Sequence, residues 1–296
     1  NPTKAGNTSG NQTICSGSTP ATITSGTPSG GVGNYSYQWQ KRTPGGSWQN
    51  ISGATSRNYS PPALTATTDY QIRVTDSQCG SDFSDNYTRI TVDPPTNAGT
   101  ISINNSNTIF CGSQTFNVDL NGRTGTITHW TLQYRDLDST PQWTSESTIY
   151  TADNTNNFNR TFSAASSVRR EYRLRAYVKS GVCNTKVAMK EFSIDPPSAV
   201  SNITGGTSFC GPGSRTYSIS SRVGTVLRWQ MRYKEASQSS FPSSWTTITE
   251  TDNITSVSPN LTVGTQRRTY EIRVTVKSGV CSQVTKTTTV TVDPVV

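Results

Sequence analysis

Wherever apolar and polar residues alternate regularly along this chain, they do so with a period of two. In Leu227-Arg228-Trp229-Gln230-Met231-Arg232-Tyr233-Lys234, one face carries Leu227, Trp229, Met231 and Tyr233, and the other carries Arg228, Gln230, Arg232 and Lys234. Tyr270, Ile272, Val274 and Val276 alternate in the same way with Glu271, Arg273, Thr275 and Lys277, and a threonine-rich run follows at 284–292. A period of two sends successive side chains to opposite faces of an extended strand. Gly, Pro, Ser and Asn clusters bound these runs, and no segment shows the 3.6-residue period of a helix. The pattern predicts short, half-buried strands stacked as β-sandwiches.

The pattern recurs three times. Each repeat has a cysteine, a strand with a tryptophan, a second tryptophan, a Tyr-x-Ile/Leu-Arg strand, a second cysteine, and a last strand ending in Asp-Pro. The series are Cys15, Trp39, Trp48, Tyr70, Cys79, Asp93; Cys111, Trp130, Trp143, Tyr172, Cys183, Asp195; and Cys210, Trp229, Trp245, Tyr270, Cys281, Asp293. All six cysteines and all six tryptophans are thereby used. A period near a hundred residues is that of a whole domain and exceeds any solenoid unit. The expected division is 1–95, 96–196 and 197–296, three tandem immunoglobulin-like sandwiches in an elongated array.

The immunoglobulin reading rests on particular positions. Trp39, Trp130 and Trp229 fit the core tryptophan of strand C, and Tyr70, Tyr172 and Tyr270 fit the tyrosine that opens strand F, with Leu64 before Tyr70 as in a tyrosine corner. Two residues after that tyrosine an antibody domain has cysteine; here stand Ile72, Leu174 and Ile272. The second cysteine falls later, in the F–G turn or at the start of strand G. One cysteine pair per repeat predicts three disulfides within domains, Cys15–Cys79, Cys111–Cys183 and Cys210–Cys281, and an oxidising compartment. Such bridges would shield the enclosed strands from a pull on the chain ends, and the Asp-Pro-Pro linkers would act as short, semi-rigid spacers.

Composition narrows the function classes. Hydrophobic residues make up 31% of the chain, enough for one thin core per repeat, and no apolar run is long enough to span a membrane. The net charge of +8 lies mostly in the last repeat and forms no block, so nucleic acid is not an expected partner. His129 is the only histidine, and Gln38 and Arg228 take its place in the other repeats, so it reads as a surface strand residue. No CxxC occurs, Asp136-Leu137-Asp138 lacks the further oxygens and glycine of a calcium loop, and Glu146, Glu171 and Glu191 suggest no glycosidase pair. No enzyme, cofactor or metal site is expected. The opening residues Asn1-Pro2-Thr3-Lys4-Ala5-Gly6 echo Pro95-Thr96-Asn97-Ala98-Gly99 and read as a linker, so a longer parent chain is expected.

One family likeness is visible in Ala5-Gly6-Asn7-Thr8-Ser9-Gly10-Asn11-Gln12-Thr13-Ile14-Cys15-Ser16-Gly17, in Tyr37-Gln38-Trp39-Gln40, and in Gly45-Gly46-Ser47-Trp48-Gln49-Asn50-Ile51-Ser52-Gly53-Ala54-Thr55-Ser56. Together they resemble the tandem Ig-like repeats of the very large surface proteins of gliding Bacteroidetes, the SprB-like gliding-motility adhesins. Repeats two and three keep the cysteines, tryptophans and Tyr-x-Ile/Leu-Arg strand but lose the Gly-Gly turn. The resemblance implies a long filament, exported to the cell surface and moved along it, that grips the substratum. On this reading the chain is an extracellular shaft segment, whose partners are the substratum or surface polysaccharide, neighbouring repeats and other filament proteins.

A single surface feature suggests binding. Arg228, Arg232, Lys234, Arg273 and Lys277 are expected on the solvent face of the third C–F–G sheet, with Arg135, Arg175 and Lys179 in repeat two and Arg42 and Arg73 in repeat one. The simpler reading is a solvated face; the alternative is a weak site for acidic polysaccharide or another filament protein, made useful by multivalency.

Overall fold

The computed structural model describes residues 1–103, 106–137, 142–151, 154–250 and 253–295, and its regular elements are all strands. Three hydrophobic cores form, among residues from Ala5 to Ile90, Ile101 to Ile194, and Tyr217 to Val292. Around the second, one sheet runs in the spatial order Ile109–Cys111, Lys186–Asp195, Arg170–Lys179, Thr126–Asp136, Ser147–Thr151, and faces a sheet of Asn157–Phe162, Gln114–Asn121 and Thr100–Ile103. Around the third, the order is Ser208–Cys210, Val284–Asp293, Arg268–Lys277, Thr225–Glu235, Thr246–Glu250. Around the first it is Gln12–Cys15, Thr88–Asp93, Thr68–Asp76, Tyr35–Arg42, Gln49–Asn50, with the short Gly80–Phe83 hairpinned onto Thr68–Asp76. These are tandem immunoglobulin-like sandwiches.

Each core is built on its first tryptophan. Trp39, Trp130 and Trp229 are fully buried. Each indole N–H donates to a backbone carbonyl, of Ser56, Thr155 and Ile254 respectively, at 2.8–2.9 Å. A buried indole needs such a partner, because an unmet N–H costs about 1–3 kcal/mol. Tyr172 and Tyr270 close a corner by donating to the carbonyls of Ser163 and Thr262 at 2.6 Å. Tyr70 instead packs its ring 5.8 Å from that of Tyr59, and burial pushes its phenol up to about 12.

The alternation read from the sequence is interrupted by bulges, one of which changes what enters the core. In the strand Thr225–Glu235 the register against Arg268–Lys277 slips between Val226 and Arg228. Val226 therefore enters the core at 2% exposure while Leu227 is only half-buried. The same bulge lies between Ile127 and His129. An extra residue in one strand flips the faces on either side of it, so strict alternation cannot be carried across.

The first strand of each large sheet determines how the repeats meet. Gln12–Cys15, Ile109–Cys111 and Ser208–Cys210 each pair in parallel with the last strand of their own sandwich. The register sets Cys15 beside Asp93, Cys111 beside Asp195 and Cys210 beside Asp293. The first cysteine thus sits at the pole where the chain leaves the sandwich.

Candidate functional site

The disulfides join neighbouring sandwiches. Cys15 bonds Cys183 and Cys111 bonds Cys281, with Cα–Cα distances of 4.9 and 5.0 Å, while Cys79 and Cys210 are free and exposed. The pairing predicted within domains is therefore corrected. Cys111 lies beside Asp195, whereas the turn carrying Cys183 closes at the opposite end of the same strand, where Val178 pairs with Lys186. Nine residues of strand separate these ends, about 30 Å. A disulfide tolerates Cα separations of only about 4.4–6.8 Å. The second cysteine of one sandwich faces backwards, and the first cysteine of the preceding sandwich faces forwards.

Both joints are built to one plan. Asp93 and Asp195, each at the end of its last strand, accept the backbone N–H of Val182 (2.9 Å) and Val280 (2.8 Å) from the next sandwich. The linker hydroxyls of Thr96 and Ser198 accept the N–H of Ser180 (3.0 Å) and Ser278 (2.8 Å). The buried sulfurs of Cys183 and Cys281 rest 3.4 and 3.3 Å from the carbonyl oxygens of Pro94 and Pro196. Gly181 and Gly279 adopt φ of +46° and +45°, and a Cβ on either would overlap Oδ2 of Asp93 or Asp195. Only glycine combines that backbone with so close an approach. Asp195 is further fixed by Arg169, whose Nε donates at 2.6 Å.

Asp93, Asp195, Gly181 and Gly279 were not singled out as site residues by sequence reasoning. The signal was present: Lys-Ser-Gly-Val-Cys occurs in repeats two and three, where repeat one has Asp76-Ser77-Gln78-Cys79. In that first turn Asp76 serves the amides of its own sandwich, accepting from Gln78, Cys79 and Val32 at 3.0 Å and Gly33 at 3.1 Å. Those bonds, the one from Gln78 foremost, hold its carboxyl below the usual range.

On the broad sheet face, the second tryptophan of each repeat folds back over the arginines. Trp245 lies between Arg273 (3.9 Å from guanidinium carbon to ring centroid) and Arg232 (4.3 Å). Trp143 lies against Arg173 (4.0 Å) and Arg135 (4.8 Å), and Trp48 against Arg42 (4.3 Å). Arg232 also pairs with Glu271 at 2.6 Å, Arg273 donates to Gln230, and Lys234 donates to the Ser239 carbonyl. Burial, with Arg228 and Arg232 close by, lowers the Arg273 pKa. Arg228 lies on the Thr225–Glu235 strand, and Lys277 ends the Arg268–Lys277 strand at the joint with the second sandwich, beside Asp195 and Gly279. The five predicted cations thus share one sheet, but the central ones hold a tryptophan and a glutamate.

The other singled-out residues have structural settings. His129 stacks on Tyr177 at 4.2 Å. Glu146 accepts hydrogen bonds from Thr131 and Tyr177 and faces Arg175 at 3.0 Å, which together lower its pKa. Glu171 pairs with Arg135 and Glu191 with Arg173, both at 2.6 Å. Asp136 is clasped by Arg170 through two bonds of 2.7 and 2.9 Å, and Asp138 lies outside the described residues. Among the described residues there is no group of three or more His, Cys, Asp and Glu arranged to hold a metal ion, and no helix long and apolar enough to cross a membrane.

Residues 4–94 match the model of a domain of unknown function, DUF8696. No curated protein matches the chain. Among solved structures, the three-Ig structure of titin domains I67–I69 is similar over 100% of this chain and 99% of that one, at TM-score 0.58 and 8% identity. This likeness extends to the fold alone. A structure from a 1.5-MDa bacterial ice-binding adhesin aligns over 100% of this chain and 99% of that one, at TM-score 0.41 and 12% identity. A Ca2+-stabilized adhesin by which an Antarctic bacterium binds ice aligns over 99% of this chain and 75% of that one, at TM-score 0.35 and 12% identity.

Proposed function

We propose that this chain is a load-bearing shaft segment of an extracellular adhesin, built of three sandwiches divided at 95/96 and 196/197. The observation that carries the reading is the interleaved pair of bridges, Cys15–Cys183 and Cys111–Cys281, which enclose 168 and 170 residues of sequence separation. Neither bridge lies inside a sandwich; each locks a joint. A closed loop of that size is worth roughly 5 kcal/mol in the chain-entropy model, and here it also keeps a neighbour attached when one sandwich unfolds. A fibre under tension gains directly from that arrangement. The disulfides fit an oxidising exterior. The sequence resemblance supports a more specific assignment, to the surface filaments of gliding Bacteroidetes, with the substratum held elsewhere on the filament and these units spacing it from the cell.

The arginine face supports a spacer over a site for acidic polysaccharide, because Arg232 and Arg273 are already engaged by Trp245, Glu271 and Gln230. The test is direct. The isolated oxidised chain should show no retention on a glycan array or on heparin at physiological salt, and should resist extension in single-molecule pulling. Retention of a defined glycan by the native chain would replace the spacer reading with a binding one.

A further inference from the structure

The third sandwich carries the same forward pole as the first two. Cys210 stands in register with Asp293 as Cys15 does with Asp93 and Cys111 with Asp195. The next residue donates its N–H to the aspartate carbonyl in all three: Ser16 to Asp93 (2.9 Å), Gly112 to Asp195 (2.8 Å) and Gly211 to Asp293 (2.9 Å). Arg267 holds Asp293 at 2.5 Å, as Arg169 holds Asp195 at 2.6 Å. What differs is cover. The Asp195 side chain, under the turn of the third sandwich, is 3% exposed, while that of Asp293 is 32% exposed and the Cys210 thiol faces solvent.

We infer that the pole formed by Cys210, Gly211 and Asp293 is a docking and crosslinking surface for the Ser-Gly-x-Cys turn of a further Ig-like unit. The partner is specified by the two joints already made. It must offer an amide to the Asp293 carboxylate, a glycine where a Cβ would strike that carboxylate, and a thiol two residues beyond the glycine, as at Gly181 and Cys183 or Gly279 and Cys281. Bond formation converts two thiols to a disulfide by exchange with a small-molecule disulfide such as oxidised glutathione. One thiolate attacks it to form a mixed disulfide, and the second thiolate displaces the remaining glutathione. The two electrons and two protons end on the two glutathione thiols released. The Cys79 turn of a second molecule does not fit. It has Gln78 before the cysteine and no glycine at the required place, and its amides already bond Asp76. The surface is therefore polar in the directional sense, taking one kind of turn from ahead. This stands whether the assembled shaft spaces or binds.

The experiment fuses a second copy of residues 198–296 directly after Val295, so that Ser198 follows Asp293 by three positions as it follows Asp195. The chain is refolded in a glutathione redox buffer, followed by alkylation and non-reducing peptide mapping. Cys210 should be found bonded to the added copy's counterpart of Cys281. Gly279→Ala in the added copy, or Asp293→Ala in the parent, should cut that bridge several-fold while Cys15–Cys183 and Cys111–Cys281 form normally in the same molecule. An added unit that folds and leaves Cys210 alkylated overturns the inference, as does bonding of Cys210 to Cys79 between molecules. If the added copy does not fold, a peptide of residues 176–188 with an activated Cys183 decides. It should label Cys210 faster than Cys79 on the native chain, with the preference lost on Gly181→Ala; equal labelling overturns the assignment.

Discussion

The carboxylate of Asp195 and the amide of Val280 meet at 2.8 Å across a boundary between two sandwiches, 85 residues apart in sequence. Asp93 and Val182 repeat that contact at 2.9 Å, 89 residues apart. Each pair sits beside a disulfide, so a polar contact positions the two poles and a covalent bond then fixes them. Charge-assisted bonds to a backbone amide are about twice as strong as neutral ones. Such a contact can hold the cysteines close enough for oxidation to choose the right partner.

The first expected outcome is the bridge map. Non-reducing peptide mapping of the native chain should give Cys15–Cys183 and Cys111–Cys281, with Cys79 and Cys210 alkylated. Recovery of Cys15–Cys79 or Cys210–Cys281 would mean that the first strand carries its cysteine to the same pole as the F–G turn, against the parallel pairing with the last strand.

Pulling on the termini should separate the oxidised and reduced chains clearly. With both bridges intact the shortest covalent path follows residues 1–15, 111–183 and 281–296, about 100 residues, so the chain should lengthen to no more than about 340 Å. After reduction the full chain is free to extend to roughly 1,000 Å. Equal extensions in the two states would show that the bridges carry no load.

Gly279→Ala should damage the second joint specifically. The substitution meets both a positive φ and the Asp195 carboxylate, and should cost roughly 1–3 kcal/mol, seen as slower oxidation of Cys111 with Cys281. Gly53 has φ of +74° with open space around it. Gly53→Ala should cost only about 1 kcal/mol, from left-handed backbone alone, and leave both bridges unchanged.

Trp245→Ala should weaken the third sandwich by roughly 1–3 kcal/mol in chemical denaturation, since it removes the ring that covers two guanidinium groups. It should also raise retention on heparin above that of the parent chain, because Arg232 and Arg273 become available. A loss of stability without a change in retention would show that the tryptophan does not mask the arginines.

Acid should act on the first sandwich through Asp76. Its folded pKa lies below the unfolded value, so the stabilisation it gives is complete above the ordinary carboxylate range and fades as pH falls through the folded pKa. Calorimetry between about pH 5 and pH 2 should show a fall in Tm for the first sandwich that Asp76→Asn flattens. An unchanged slope in the variant would assign the acid sensitivity to other groups.

The fold class was legible because each strand carries its own evidence. The alternation through Tyr270, Ile272, Val274 and Val276 and the recurrence of Trp39, Trp130 and Trp229 are local facts, and burial of a strand face follows from them. The bulge after Val226 was not legible, because nothing in Val226-Leu227-Arg228 says which residue is the extra one until the neighbouring strand fixes the register. The count of cysteines also pointed correctly to disulfides. Their partners were decided only in three dimensions. A cysteine's position in sequence does not reveal which pole of a sandwich it occupies; that depends on the first strand running parallel to the last, which sends Cys111 about 30 Å away from Cys183 and brings it to Cys281. Likewise, the arginines could be assigned to one face by counting in twos, but their cover could not. Trp245 reaches Arg273 through a loop, where no period links sequence to contact.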